Sequence, residues 1–133
     1  PYAHLAFLNS RYASYYIRLL SPKLTIAAGY IAKIPMSVTL VTSKSLSALA
    51  EQCIALKKRR LEKRPYNIEF NYLRHDNTVS VEKAAYQWLR DDLYCEWTQL
   101  KLEEQIDQEV FLEMRLTKDA IESNNKYLGS KLI

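Results

Sequence analysis

The sequence predicts a mainly α fold, a bundle-like arrangement of three helices with a short extended or β segment between the first two. Three observations predict it. Apolar residues recur at steps of three and four over long stretches, which places them on one side of a helix. Only two glycines and four prolines punctuate 133 residues, so few breaks are available. Serines stand where the periodic stretches begin, as helix caps do. With 48% hydrophobic and 26% charged residues, the chain is long enough for one real core and hardly for two. The expected organisation is a single helical domain over 1–122 and a flexible tail over 123–133. Pro1 at the start, with helical pattern following at once, suggests a piece of a longer protein.

The first helix is expected from Ala3 to Leu20. Leu5, Leu8, Tyr12, Tyr16 and Leu19 make one stripe and Phe7, Ala13, Ile17 and Leu20 another, so it is buried on more than one side. Pro22 disfavours helical backbone at Ser21 and sets the stop. From Leu24 to Val41 the chain is rich in Ile, Val and Thr, with Gly29 and Pro35 as breaks, which reads as an extended segment or short strand. A second helix is expected from a cap near Ser45 to about Arg64, stopped by Pro65. Tyr66, Ile68, Phe70 and Tyr72 alternate with polar residues, as in a short strand or ordered loop.

The last helix is expected to start at a Ser80 cap, with Glu82 favourably placed in its first turn. It extends to about Glu122 unless it breaks near Leu116 or Thr117. Two seams run along it: Val81, Ala85, Trp88, Cys95, Leu102, Ile106 and Val110, and on another side Leu89, Leu93, Trp97, Leu100, Phe111 and Met114. Two seams need two partners, either the two earlier helices or one of them and a second subunit. Asn124, Asn125, Gly129 and Ser130 read as a fraying end.

The residues offer little reactive chemistry. His4 and His75 lie far apart without the spacing of a zinc motif, and the two glycines cannot build a phosphate-cradling loop. No Ser or Cys sits in a nucleophile pattern with His and an acid. The pairs Asp91–Asp92 and Glu103–Glu104 read as a solvated or salt-bridged helix face rather than a magnesium site. Cys53 and Cys95 read as reduced core thiols. No apolar run is long enough to span a bilayer and no signal pattern opens the chain, so a soluble cytoplasmic protein is expected.

Charge is the strongest functional signal. Lys57, Lys58, Arg59, Arg60, Lys63 and Arg64 stand against Glu62 alone, a local +5. From Asp91 to Glu113 there are eight acids and one base, Lys101, a local −7. Two readings of the basic run are open. It suits phosphate contacts on DNA, or the acidic stretch packs antiparallel against it and neutralises it.

One part of the chain also has a family likeness. Leu-Ala-Phe-Leu-Asn-Ser at 5–10, the Tyr15–Tyr16 pair, Leu20-Ser21-Pro22, and Gly29-Tyr30-Ile31 followed by Ile34-Pro35 resemble the target-recognition region of adenine-specific DNA methyltransferases. The likeness is closest to the BREX phage-defence methyltransferases and type IIG restriction-modification enzymes. Leu100-Lys101-Leu102-Glu103-Glu104-Gln105-Ile106-Asp107, with Val110-Phe111, is similar to a helix near the C-terminus of the BREX proteins. Tyr30 stands where that family commonly has an acid. The resemblance implies a non-catalytic C-terminal part of such an enzyme, contributing to target recognition and scaffold. Its Asn-Pro-Pro-Tyr motif and S-adenosylmethionine loop are not in this stretch, so no cofactor is expected here and S-adenosylmethionine is expected elsewhere in the parent. Expected partners are double-stranded DNA, the rest of the methyltransferase, or a second copy of the chain, and no membrane.

Overall fold

A computed structural model of the chain describes residues 1–21, 28–64 and 80–129. The protein is mainly α, as the periodicity predicts: α1 (Tyr2–Leu8), α2 (Arg11–Leu20), α3 (Ala28–Ile31), α4 (Val38–Thr42), α5 (Lys44–Glu62), α6 (Val81–Glu113) and α7 (Lys118–Leu128). Among the described residues there is no strand. The expected segment from Tyr66 to Tyr72 lies outside them.

The first helix is two helices. Ser10 is fully buried and caps α2, its hydroxyl accepting from the Ala13 N–H at 3.3 Å while donating to the Phe7 carbonyl at 2.6 Å. That double role turns the chain between α1 and α2, and the unbroken apolar pattern through Leu8 and Tyr12 hides it. The Ile- and Val-rich stretch is likewise not extended throughout. Residues 28–31 and 38–42 form short helices, the second capped by Ser37, whose hydroxyl accepts from the Thr39 N–H at 3.4 Å. Thr39 and Glu113 hydrogen-bond through their side chains and tie this stretch to α6. Tertiary contacts thus override the β preference of Val and Thr.

Helix α5 begins one residue before the expected cap, because Ser43 rather than Ser45 receives the Leu46 N–H, at 3.2 Å. It ends at Glu62, two residues short of Arg64. Ser80 caps α6 as expected.

The break expected near Leu116 is real, and it closes as a Schellman turn. The Leu116 N–H donates to the Phe111 carbonyl and the Arg115 N–H to the Leu112 carbonyl, each at 3.0 Å. Arg115 occupies the left-handed region at φ 53°, where glycine is usual. Thr117 then caps α7 through the Ala120 N–H. This helix runs to Leu128 with Asn124 buried, where the sequence reading places a fraying tail.

The core forms where α1, α2, α4, α5 and the second half of α6 meet. Phe7, Tyr12, Leu40, Leu46, Ala50, Ile106, Val110 and Phe111 are its main members. Helix α1 packs along α5, α5 along α6, and α2 against both α6 and α7. Tyr12 stacks in tilted contact between Phe7 and Tyr16, with ring centroids 5.9 and 4.8 Å away. Burial, and then the hydrogen bond with Tyr16, push its phenol well above the ordinary range.

Cys95 is buried and Cys53 partly buried, and no disulfide joins them. No helix among the described residues is long and apolar enough to cross a membrane.

Candidate nucleic-acid interface

The basic run occupies the last turns of α5 and the two residues after it, with Arg60 and Lys63 bonded to α6 and Lys57 and Lys58 exposed. The acids opposite come from the first half of α6. Arg60 makes a two-pronged contact with Asp92, Nε to Oδ1 at 3.0 Å and an outer guanidinium nitrogen to Oδ2 at 3.3 Å, and lies 3.6 Å from Glu96. Lys63 donates to Asp91 at 3.2 Å, and Arg59 reaches the same carboxylate at 3.5 Å. Side-chain exposures of 14% for Arg60 and 18% for Asp92 make this pair the best shielded of the set. The hydrogen bond to Asp92 raises the Arg60 pKa in spite of desolvation.

The six cations therefore divide. Arg60 and Lys63 are committed to α6, and Arg59 is shared, with its side chain still half exposed. Lys57 and Lys58 are exposed, and no described acid pairs with either. Arg64, partly buried, has an interaction of its own. The neutralising reading thus holds for Arg60 and Lys63, while Lys57 and Lys58 stay exposed and Arg59 half exposed as the cations left for an anion. Of the two histidines, His4 is exposed on α1 and His75 lies outside the described residues.

The α5–α6 clamp carries a pH signature. The hydrogen bond from Lys63, then the charges of Lys63, Arg59 and Arg90, hold the Asp91 carboxyl below its ordinary value. A depressed folded pKa gives stability that is complete above the unfolded value and lost as pH falls through the folded one. Thermal melts of the parent chain and Asp91→Asn should therefore differ at neutral pH and converge as the pH is lowered below the usual carboxylate range. A constant difference at all pH values would show that Asp91 contributes by packing rather than charge. Asp91 is well exposed, so solvent keeps this difference small.

The first acid pair and one member of the second are engaged in the protein itself. Asp91 and Asp92 hold the cations of α5, and Glu103 accepts from the Gln99 amide at 2.8 Å.

The two seams of α6 meet different fates. Cys95, Leu102, Ile106 and Val110 are buried, whereas Val81, Ala85 and Trp88 of the same seam are exposed. On the second side Phe111 is buried and Met114 packs on the core, while Leu89, Leu93 and Trp97 face outward. A cleft of about 900 Å³ lies between α6 and α7, with Leu100, Phe111, Leu116 and Ile121 in its lining and Trp97 and Lys101 also on its wall.

One buried acid was not among the expected site residues. Asp107 is 4% exposed and accepts the Arg11 N–H at 2.7 Å, which ties the start of α2 to α6. The Arg11 side chain reaches on to α7, donating to the Asn125 carbonyl at 3.3 Å and to that of Gly129. Comparison with known proteins adds no relative: no family model, no curated protein and no solved structure matches the chain.

Proposed function

We propose that the chain is a non-catalytic helical part of an adenine-specific DNA methyltransferase of the BREX or type IIG kind, serving target recognition and scaffold. The observation that supports the reading is where its two distant blocks of likeness lie. Residues 5–10 and 100–111 are far apart in sequence, yet Phe7 shares a core with Ile106, Val110 and Phe111. Directly after the first block, the Arg11 N–H bonds to Asp107 of the second. Residues that carry a family pattern are expected to meet where they specify one another's packing.

The S-adenosylmethionine of such an enzyme does not fit these residues. Gly29 and Gly129, the only glycines, lie far apart and make no loop for it, and no step of methyl transfer is assigned to this chain. Its part is contact with duplex phosphates through Lys57, Lys58 and Arg59, on a helix held rigid by Arg60 and Lys63. Two measurements test this. An open reading frame extended upstream should contain Asn-Pro-Pro-Tyr in frame, and its absence would remove the methyltransferase assignment. Binding of the chain to duplex DNA should weaken about tenfold or more in the Lys57→Glu/Lys58→Glu variant, with a shallower dependence on salt. Unchanged binding would remove the contact.

A second reading is favoured by one observation, the outward apolar side chains of α6. Leu89 and Leu93, 48% and 56% exposed, suit a helical docking or dimerisation surface without DNA contact.

A further inference from the structure

We propose that α6 carries a separate surface for single-stranded nucleic acid, formed by Lys83, Tyr86, Arg90, Tyr94, Trp97 and Lys101. These six residues follow one another at steps of three or four, so they form one continuous row along the helix. Cations and aromatics interleave in it, and all six are exposed. Tyr86, Tyr94 and Trp97 are 69%, 60% and 55% exposed, a costly placement for three large rings without a ligand.

The charge around the row is selective. Helix α6 is strongly acidic from Asp91 onward, yet at helical spacing most of its carboxylates fall on other sides. Glu82 and Glu104 bound the row at its ends, and Asp91, held by Lys63 and Arg59, lies close enough to Arg90 to feel its charge. Gln87, Gln105 and Gln108 fall beside it as neutral amides. Lys101 already sits over the Trp97 ring, its Nζ 3.6 Å from the centroid, which places a cation beside a stacking platform. The row is about 27 Å long at the rise of an α-helix, room for several nucleotides. Unpaired bases offer their faces to the rings and their phosphates to the cations, whereas a closed duplex hides those faces. The chemistry therefore selects a single strand. This surface is distinct from Lys57 and Lys58 on α5 and does not depend on the methyltransferase reading.

The test uses the whole chain and fluorescently labelled oligo(dT). Anisotropy should report binding whose logarithmic salt slope is about −2, as three phosphate contacts on a single strand give. Trp97 emission should be quenched as the oligonucleotide binds, and Trp88→Phe leaves that signal to Trp97 alone. Lys83→Glu/Arg90→Glu/Lys101→Glu should abolish binding, and Tyr94→Ala/Trp97→Ala should weaken it about tenfold or more while keeping the salt slope. The side chains are exposed, so circular dichroism should show unchanged helix content in both variants. Lys57→Glu/Lys58→Glu should leave oligo(dT) binding intact, which separates this surface from the duplex contact. Absence of binding at low salt would overturn the proposal, as would binding indifferent to the loss of both rings. Self-association that disappears in Tyr94→Ala/Trp97→Ala, without nucleic-acid binding, would assign the row to protein packing and overturn it equally.

Discussion

Phe7→Ala should destabilise the protein by about 3–5 kcal/mol, the cost of a large core ring replaced by a cavity. Phe7 is only 2% exposed and belongs to the same core as Tyr12, Leu46, Val110 and Phe111. Its surroundings cannot readily collapse into the space, because α1 is fixed at its end by the turn through Ser10 and along its length by α5. Urea denaturation followed by circular dichroism should show a lower midpoint for the variant with a similar slope. A loss below about 1 kcal/mol would mean that α1 contributes little to the folded core. Leu5→Ala, at a position 43% exposed on the same helix, provides the contrast and should fall well below that value.

The second large effect is expected at Asp107. Its carboxylate accepts from the first N–H of α2 and lies inside the protein, so Asp107→Ala removes a charge-assisted bond and strands a backbone donor. The expected loss is about 2–3 kcal/mol. Asp107→Asn keeps an acceptor oxygen but loses the negative charge favoured at a helix N-terminus, and should recover about half of the loss. Equal losses in both variants would place the effect in the charge alone. No loss in either would show that water satisfies the end of α2.

How far the sequence could be read depended on the kind of signal. Ser80 followed by a long apolar period marked α6 well, because a cap and a pattern agreed. The division between α1 and α2 was hidden because Leu8 and Tyr12 continue the period across it. Its one local sign was Ser10, a residue favoured at helix starts but also tolerated inside helices, as Ser14 is in α2. The turn between α6 and α7 was legible as a break but not as a left-handed one, since Arg115 stands where glycine would announce it. At the site, the charge runs foretold their attraction. They could not divide the cations, because which of them face inward depends on the angle at which α5 meets α6. The row on α6 was missed for a similar reason. Trp97 belongs to a seam that reads as core until the partners of each side are known, and Tyr86 and Tyr94 fall on neither seam.

The Arg11 linkage has a consequence for how the molecule opens. Its backbone N–H reaches α6, and its guanidinium closes carbonyls at the end of α7, across most of the length of the chain. A terminal helix held only by its own turns would exchange its amide hydrogens by unwinding alone. Here the last turn of α7 is bound to the first residue of α2, so it loosens only when that residue lets go. Amides in these two helices should therefore exchange as one cooperative unit, with the end of the described chain protected through its beginning.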